Sequence, residues 1–178
     1  DQNNAQATKL EMVSILAQAQ VQVNAELQKI GNSVVYACEQ LSSIGLEGDQ
    51  VRAVLNALAS NSSFIIDAGT ADLSNTLLTV EPASFHNVEG TYIGEQDYLN
   101  TKSRNPIRPA MTNVLPLVEG FDGVVIAAPI FNPNGTMIGS VSVIFDPGVL
   151  IEAAATSAVA GTHYTMWATQ TDGLIIYD

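Results

Sequence analysis

From residue 13 to residue 44, apolar residues recur at spacings that alternate three and four. The series is Val13, Leu16, Val23, Leu27, Ile30, Val34, Ala37, Leu41 and Ile44, with Gln20 as its one polar member. That is a heptad seam, and it predicts a single helix from about residue 5 to 43. Within it Gly31 is the weak point, at ~1 kcal/mol relative to alanine. At ~1.5 Å per residue the helix would be roughly 58 Å long, against ~30 Å for the diameter of a small domain. Part of it should therefore project or pair with another chain.

GLEGD at 45–49 ends the seam, with Gly45 and Gly48 as stop signals and Asp49 as the cap of a short helix reaching Ala59. SFIIDAG (63–69) and NTLLTVE (75–81) then read as two strands around a turn. Residues 82–109 are irregular, punctuated by Pro82, Pro106 and Pro109. The β signal is strongest over 110–146, where three apolar or alternating runs follow one another and PNG joins the last two as a hairpin turn. Short turns between neighbouring runs predict an antiparallel meander. SVSVIF alternates small polar with apolar residues, so one face can be packed while the other lines a cleft. PGVLIEAAATSAVA predicts a helix with Pro147 in its first turn. HYTMWATQTDGLIIYD predicts a strand, a DG turn and the start of another strand, as expected of a piece of a larger protein. The division predicted is a stalk helix over 1–45, a mixed α/β domain over 46–160 and a hairpin over 161–178.

Composition narrows the functions. The chain has 178 residues, 18 of them acidic and six basic, for a formal charge of −12. Such a field opposes phosphate, so nucleic acid is excluded as a partner and an anionic membrane surface is disfavoured. A hydrophobic fraction of 47% is far above that of a disordered chain. The longest apolar run, GVVIAAPIF at 123–131, is well short of the ~20 residues that cross a bilayer. The one cysteine, Cys38, sits in an apolar helical setting and reads as a packing residue. His86 and His163 have no paired spacing, so no metal site is expected, and no cofactor motif is present. Asp67, Asp72, Asp97 and Asp146 are the scattered carboxylates of an acidic chain rather than an acid/base pair. FIIDAGT at 64–70 is similar to the phosphate-binding turn of actin-like phosphotransferases. Without that fold's further motifs, the plainer reading is a hairpin turn.

Against this acidity, KSRNPIR at 102–108 holds Lys102, Arg104 and Arg108, three of the six basic residues. Three cations so close repel one another unless an anion or surrounding carboxylates offset them. Arginine binds carboxylate through two parallel hydrogen bonds. Tyr92 and Tyr98 lie just before this segment and the meander just after, so the segment reads as the lip of a pocket for a small anion. Tyr98, Arg104 and Arg108 are the leading contacts, with Thr112, Asn132 and Asp146 as further polar lining and Tyr92 as a last candidate.

The order of long helix, strand pair, GEQDYL, basic proline-bearing loop and AAPIFNPNGTMIGSVSVIFD (127–146) resembles the Cache family. These are the extracytoplasmic PAS-like sensor domains of histidine kinases and chemoreceptors. QDYL at 96–99 is similar to the family's D-Y-F segment, and 127–146 to its strand-turn-strand signature. The resemblance implies an α+β fold, with a five- or six-stranded antiparallel sheet backed by the long N-terminal helix. It implies a small-molecule ligand between the sheet and the segment before the third strand. It also implies a membrane-anchored parent protein, a homodimer formed through the N-terminal helix, and no enzymatic role for the domain itself. MWATQTDGLIIYD resembles the start of a second PAS-like unit.

The chain departs from the family at Gln96, where an arginine is common, and lacks the tryptophan that follows Arg104 in amino-acid-binding members. Asp146 matches the aspartate that holds the ligand ammonium there. The expected function is the ligand-sensing domain of a sensor histidine kinase for a small carboxylate or other anion. The alternatives are a chemotaxis-receptor domain for an amino acid, a non-binding dimerisation module, or an actin-like phosphotransferase fragment.

Overall fold

The computed structural model describes residues 2–96 and 106–178. The helix drawn by the seam is α1, Gln2–Ile44, a few residues longer than predicted at its N-terminal end. It is followed by α2 (Asp49–Ala59), β1 (Ile65–Asp72), β2 (Leu77–Glu81), a 3-10 segment (Ala83–Val88), β3 (Ala110–Met111), β4 (Leu115–Pro116), β5 (Asp122–Phe131), β6 (Met137–Phe145), α3 (Pro147–Val159), β7 (Ala168–Thr169) and β8 (Ile175–Tyr177). Residues group into two compact units, one comprising 29–146 and the other 1–28 with 147–178.

The unit over 29–146 is built on a six-stranded sheet ordered β2-β1-β6-β5-β3, with β4 also paired to β5. Every pairing in it is antiparallel. The meander predicted over 110–146 supplies β3 to β6, and β6 then pairs with β1, so the N-terminal hairpin completes the sheet. One correction concerns FIIDAGT. All of these residues but Phe64 lie in β1, and the turn lies beyond them, where Asp72 Oδ1 accepts from the amides of Ser74 (2.8 Å) and Thr76 (3.0 Å). An aspartate side chain mimics a backbone turn in this way.

Strand alternation gives the sheet two different faces. Val141, Val143 and Phe145 of β6 share one face with Val124, Ile126, Ala128 and Ile130 of β5 and with Ala68 and Thr70 of β1, and all are buried. Ile30, Val34, Ala37, Cys38 and Leu41 of α1 and Val51, Leu55 and Leu58 of α2 are buried too, and supply the helical half of this core. Ser42 Oγ donates to the Phe131 carbonyl (2.6 Å), and the Leu46 carbonyl between the helices accepts from the hydroxyls of Thr70 (2.7 Å) and Thr79 (3.0 Å). Gly139 is required beneath this loop, because a Cβ there would collide with the Ala71 carbonyl and lie 2.7 Å from Leu46 Cδ1. Cys38 is a packing residue, its thiol pushed up to about 12 by burial and then by the charge of Glu39.

The opposite face of the sheet carries Asp67, Gly69 and Ala71 of β1, Ser140, Ser142 and Ile144 of β6, and Gly123, Val125 and Ala127 of β5. A small satellite core of Ala71, Leu77, Val80 and Val88, with Phe85 and Ile93 against it, covers the β2 end.

In the second unit, the N-terminal part of α1 buries Ile15 and Ala19 against Ala154 and Ala158 of α3, with Val23, Val159, Tyr164 and Met166 around them. Tyr164 Oη donates to Glu11 Oε2 (3.1 Å), and β7 and β8 pair as a two-stranded ribbon. The seam residues Val13 and Leu16 are exposed here, so the buried stripe of this stretch runs through Ile15 and Ala19 instead.

Candidate functional site

Opposite its helix-covered side, the sheet floors a cavity of about 160 Å³. Val125, Ser142 and Ile144 form the floor, Leu77 and Ile93 one wall, and Glu95, Gln96 and the stretch Leu115–Glu119 the cover. The cavity exists because the strand edging β5 is interrupted. β3 and β4 both pair with β5, and the residues between them leave the ladder. Thr112 closes the break: its amide donates to the Val125 carbonyl (3.0 Å) and its Oγ1 accepts from the Val125 amide (3.1 Å). Gly123 lets the cover lie close, since a Cβ there would stand 2.8 Å from Leu117 Cδ1.

Most of the lining is apolar, and the polar groups are few and placed. Ser140, just off the lining, donates to Gln96 Oε1 (3.0 Å), fixing that side chain over the sheet. Glu119 lines the cover, with Oε2 buried and without a hydrogen-bond partner among the described residues. Asp67 stands beside the floor, paired in register with Ile144. It is 2% exposed, and its Oδ2 has no hydrogen-bond partner among the described residues. Burial, and then the charge of Glu119, pushes the Asp67 carboxyl up to about 7. Burial also raises Glu119 above the usual carboxylate range.

On the other side of the sheet the carboxylates are satisfied. Arg52 of α2 donates from Nη1 to Glu81 Oε1 (2.9 Å) and binds both oxygens of Glu89 (2.9 and 3.1 Å). His86 Nε2 lies 3.1 Å from Glu81 Oε1 and 3.0 Å from Arg52 Nη1. The Arg52 hydrogen bonds hold Glu89 below the ordinary carboxylate range. For Glu81, burial pulls upward, but the bonds from Arg52 and His86 outweigh it and the net shift is down.

The residues predicted from sequence fall in several places. Thr112 lines the cavity. Tyr92 is 53% exposed, and its hydroxyl donates to Glu95, a residue of the cover. Arg108 is exposed and is not part of the lining. Asn132 belongs to the β5–β6 turn, its Oδ1 accepting from the Thr136 amide (3.0 Å), whereas Asp146 follows the far end of β6. Nine residues of strand separate these two positions, roughly 30 Å at ~3.4 Å per residue, so one small ligand cannot touch both. Tyr98, Lys102 and Arg104 lie outside the described residues, as does most of QDYL. Sequence reasoning did not single out Gln96, Glu119 or Asp67 as site residues. A charge within the apolar run FIIDAG was the available signal for Asp67, while no local pattern marks Glu119.

A helix-backed antiparallel sheet with a cavity on its free face has counterparts among known proteins. The family model for the HK/GC/chemotaxis protein-like sensor domain matches residues 25–147. The chain belongs to this sensor-domain family. Among solved structures, the sensor domain is similar to an extracellular ligand binding receptor from Desulfohalobium retbaense, with TM-score 0.82 and 30% identity over 92% of this chain and 30% of that one. It is also similar to the ligand-binding domain of the Pseudomonas fluorescens chemoreceptor CtaA in complex with L-serine, with TM-score 0.64 and 15% identity over 99% of this chain and 73% of that one. The sensory domain of the Campylobacter jejuni chemoreceptor Tlp3 matches with TM-score 0.68 and 13% identity over 97% and 72% of the two chains. The last two likenesses establish the shared fold. The sensor domain thus spans less than a third of the Desulfohalobium receptor and about three quarters of the two chemoreceptor domains. A search of curated proteins gives no match.

Proposed function

We propose that this sensor domain is the extracytoplasmic input of a membrane-anchored receptor, in the first place a histidine kinase, and that it reads a small organic molecule bound in the cavity on the free face of the sheet. The observation that carries the reading is that cavity: apolar on most sides, floored by rigid strands and lined by Gln96, Thr112, Ser142 and Glu119. Small-molecule sites have this make-up, with a few polar groups orienting a mostly apolar ligand. A chemotaxis receptor is the second reading, supported by the CtaA and Tlp3 likenesses. No described helix is long and apolar enough to cross a membrane, so the anchor belongs to the parent protein in this proposal.

Signalling in this scheme starts when the ligand draws the cover onto the sheet and shifts α1, which packs on the sheet's other face. That works only if the ligand binds the two states unequally. The exposed seam residues Val13 and Leu16 support pairing of α1 with a second copy. CtaA and Tlp3 domains are described in complex with L-serine and 4-methylisoleucine, which supports an amino-acid-sized ligand. The small-carboxylate reading rests on Arg104 and Arg108, and among the described residues no cation lines the cavity. A thermal-shift screen of amino acids, amines and small carboxylates tests the proposal. At least one compound should raise the Tm; no response across the set points to a non-binding module.

A further inference from the structure

We propose that Glu119 meets the ligand of this cavity as a carboxylic acid, donating its O–H to a carbonyl oxygen of a small uncharged molecule. The inference rests on the sensor reading above and goes further by naming the group of the ligand that is recognised and the protonation state in which the site receives it.

Glu119 is part of the cavity lining, and its Oε2 is buried without a hydrogen-bond partner among the described residues. A carboxylate so placed needs either a cation or a proton. No Lys, Arg or His belongs to the described lining, and Arg52 is committed to Glu81 and Glu89. Glu95, the other acid of the lining, has its oxygens engaged by the Tyr92 hydroxyl and the Asn75 side-chain amide. Asp67 of β1 is not part of the lining, but burial and then the Glu119 charge raise its carboxyl, so the two acids repel when both are ionised. Asp122, at the start of β5, is exposed. A proton on Glu119 removes the repulsion and gives the buried carboxyl an O–H to donate. Burial raises this carboxyl and outweighs the pull of its own backbone amide, which is the direction that favours the proton.

The rest of the polar lining presents donors. Thr112 Oγ1 already accepts from the Val125 amide (3.1 Å), which leaves its O–H to give. Gln96 Oε1 accepts from Ser140 (3.0 Å), which leaves the N–H bonds of Nε2. Ser142 adds a hydroxyl on the floor. A carbonyl oxygen, with two lone pairs and no charge, matches such a lining. A carboxylate would instead bring an anion toward Glu119 and Glu95 with no cation in the described lining to receive it. The apolar remainder, from Leu77, Ile93, Leu115, Leu117, Val125 and Ile144, suits a short aliphatic chain attached to the carbonyl.

The test uses the whole chain in thermal-shift and calorimetric titrations between pH 5 and pH 8, with aliphatic amides from propionamide to hexanamide and the matched methyl ketones, carboxylates and amines. At least one amide or ketone should raise the Tm at pH 5, and its affinity should fall by up to about tenfold per pH unit as Glu119 ionises. Amides and ketones do not titrate in that range, so the slope reports the protein. Glu119→Gln supplies a neutral N–H in place of the O–H, and should keep binding while flattening the slope. It should also raise the Tm of the unliganded protein at pH 8, because it removes a buried charge without a partner. Glu119→Ala should weaken binding about tenfold, the loss of one hydrogen bond. Loss of binding in Glu119→Gln, or a slope that survives it, overturns the assignment. Asp67→Asn should leave the slope in place, and a slope lost there would move the proton to Asp67 and overturn it. Binding of amines or carboxylates with no amide or ketone response overturns it while leaving the sensor reading intact. Silence from every probe overturns it too, and silence across the wider amino-acid screen removes the sensor reading as well.

Discussion

Asp67 lies directly opposite Ile144 on neighbouring antiparallel strands, which brings a carboxyl with 2% exposure to the same face of the sheet as the cavity floor. The pairing is fixed by two strands whose other faces are in the main core, so a one-residue slip would turn every one of those side chains around. A buried acid held this firmly has consequences for stability before any ligand is considered.

The first is a pH profile with a definite sign. The Asp67 carboxyl titrates at about 7 in the folded protein against 3.8 when unperturbed, so the folded state holds its proton across that window and the unfolded state does not. Stability should therefore fall as pH rises from about 4 to about 7, by at most about 1.4 kcal/mol per unit from this group, and level off above. Chemical denaturation of the unliganded protein at several pH values reads this directly. Asp67→Asn should flatten that part of the profile; an unchanged slope would mean that other acids of this −12 chain set it.

Arg52 gives the opposite sign. Glu89 and Glu81 have lowered carboxyls, so their contribution is present above the unfolded range near 4.5 and is lost as pH falls below it. Arg52→Ala leaves Glu81 buried without its cation and should destabilise the domain by about 2 kcal/mol, partial exposure of Arg52 keeping the loss below that of a fully buried pair. The same substitution frees the segment before the cover, since Glu89 also accepts from the Val80 amide (2.9 Å). Proteolysis between residues 82 and 96 should accelerate in the variant; equal rates would show that the 3-10 segment does not depend on the clamp.

Thr112→Val keeps the shape of the side chain but removes the acceptor for the Val125 amide (3.1 Å). Leaving that amide unpaired should cost about 1 kcal/mol and speed its hydrogen exchange. Unaltered exchange at Val125 would show that water replaces the hydroxyl.

Much of the fold was legible in the sequence, for physical reasons that differ by element. The seam from Val13 to Ile44 announced α1, because apolar residues at alternating three and four positions line up only when the backbone is helical. PNG announced the β5–β6 hairpin through residues that tolerate its backbone, and DG did so for β7–β8. The seam could not tell that Ile15 and Ala19, one position off its line, would be the buried residues of the first turns. That depended on the alanines of α3, whose small side chains let another face approach. The site was less legible. Thr112, a lesser candidate from the sequence, lines the cavity at the start of the meander, whereas strand length keeps Asn132 and Asp146 apart. Asp67 was visible as a charge inside FIIDAG, yet only register shows that it shares a face with Ile144. Glu119 needed the interrupted edge strand, which no local pattern records.

The central claim is that a small molecule binds on the free face of the sheet, and the direct measurement is a ligand screen run in parallel on the native domain and on Ser142→Phe. Ser142 stands on the cavity floor, so a phenyl ring there fills the space while the helix-covered core is untouched. The expected result is a raised Tm with at least one amino acid, amine or small carboxylate for the native domain, and none for the filled variant. An equal response in both proteins would place binding elsewhere and contradict the claim.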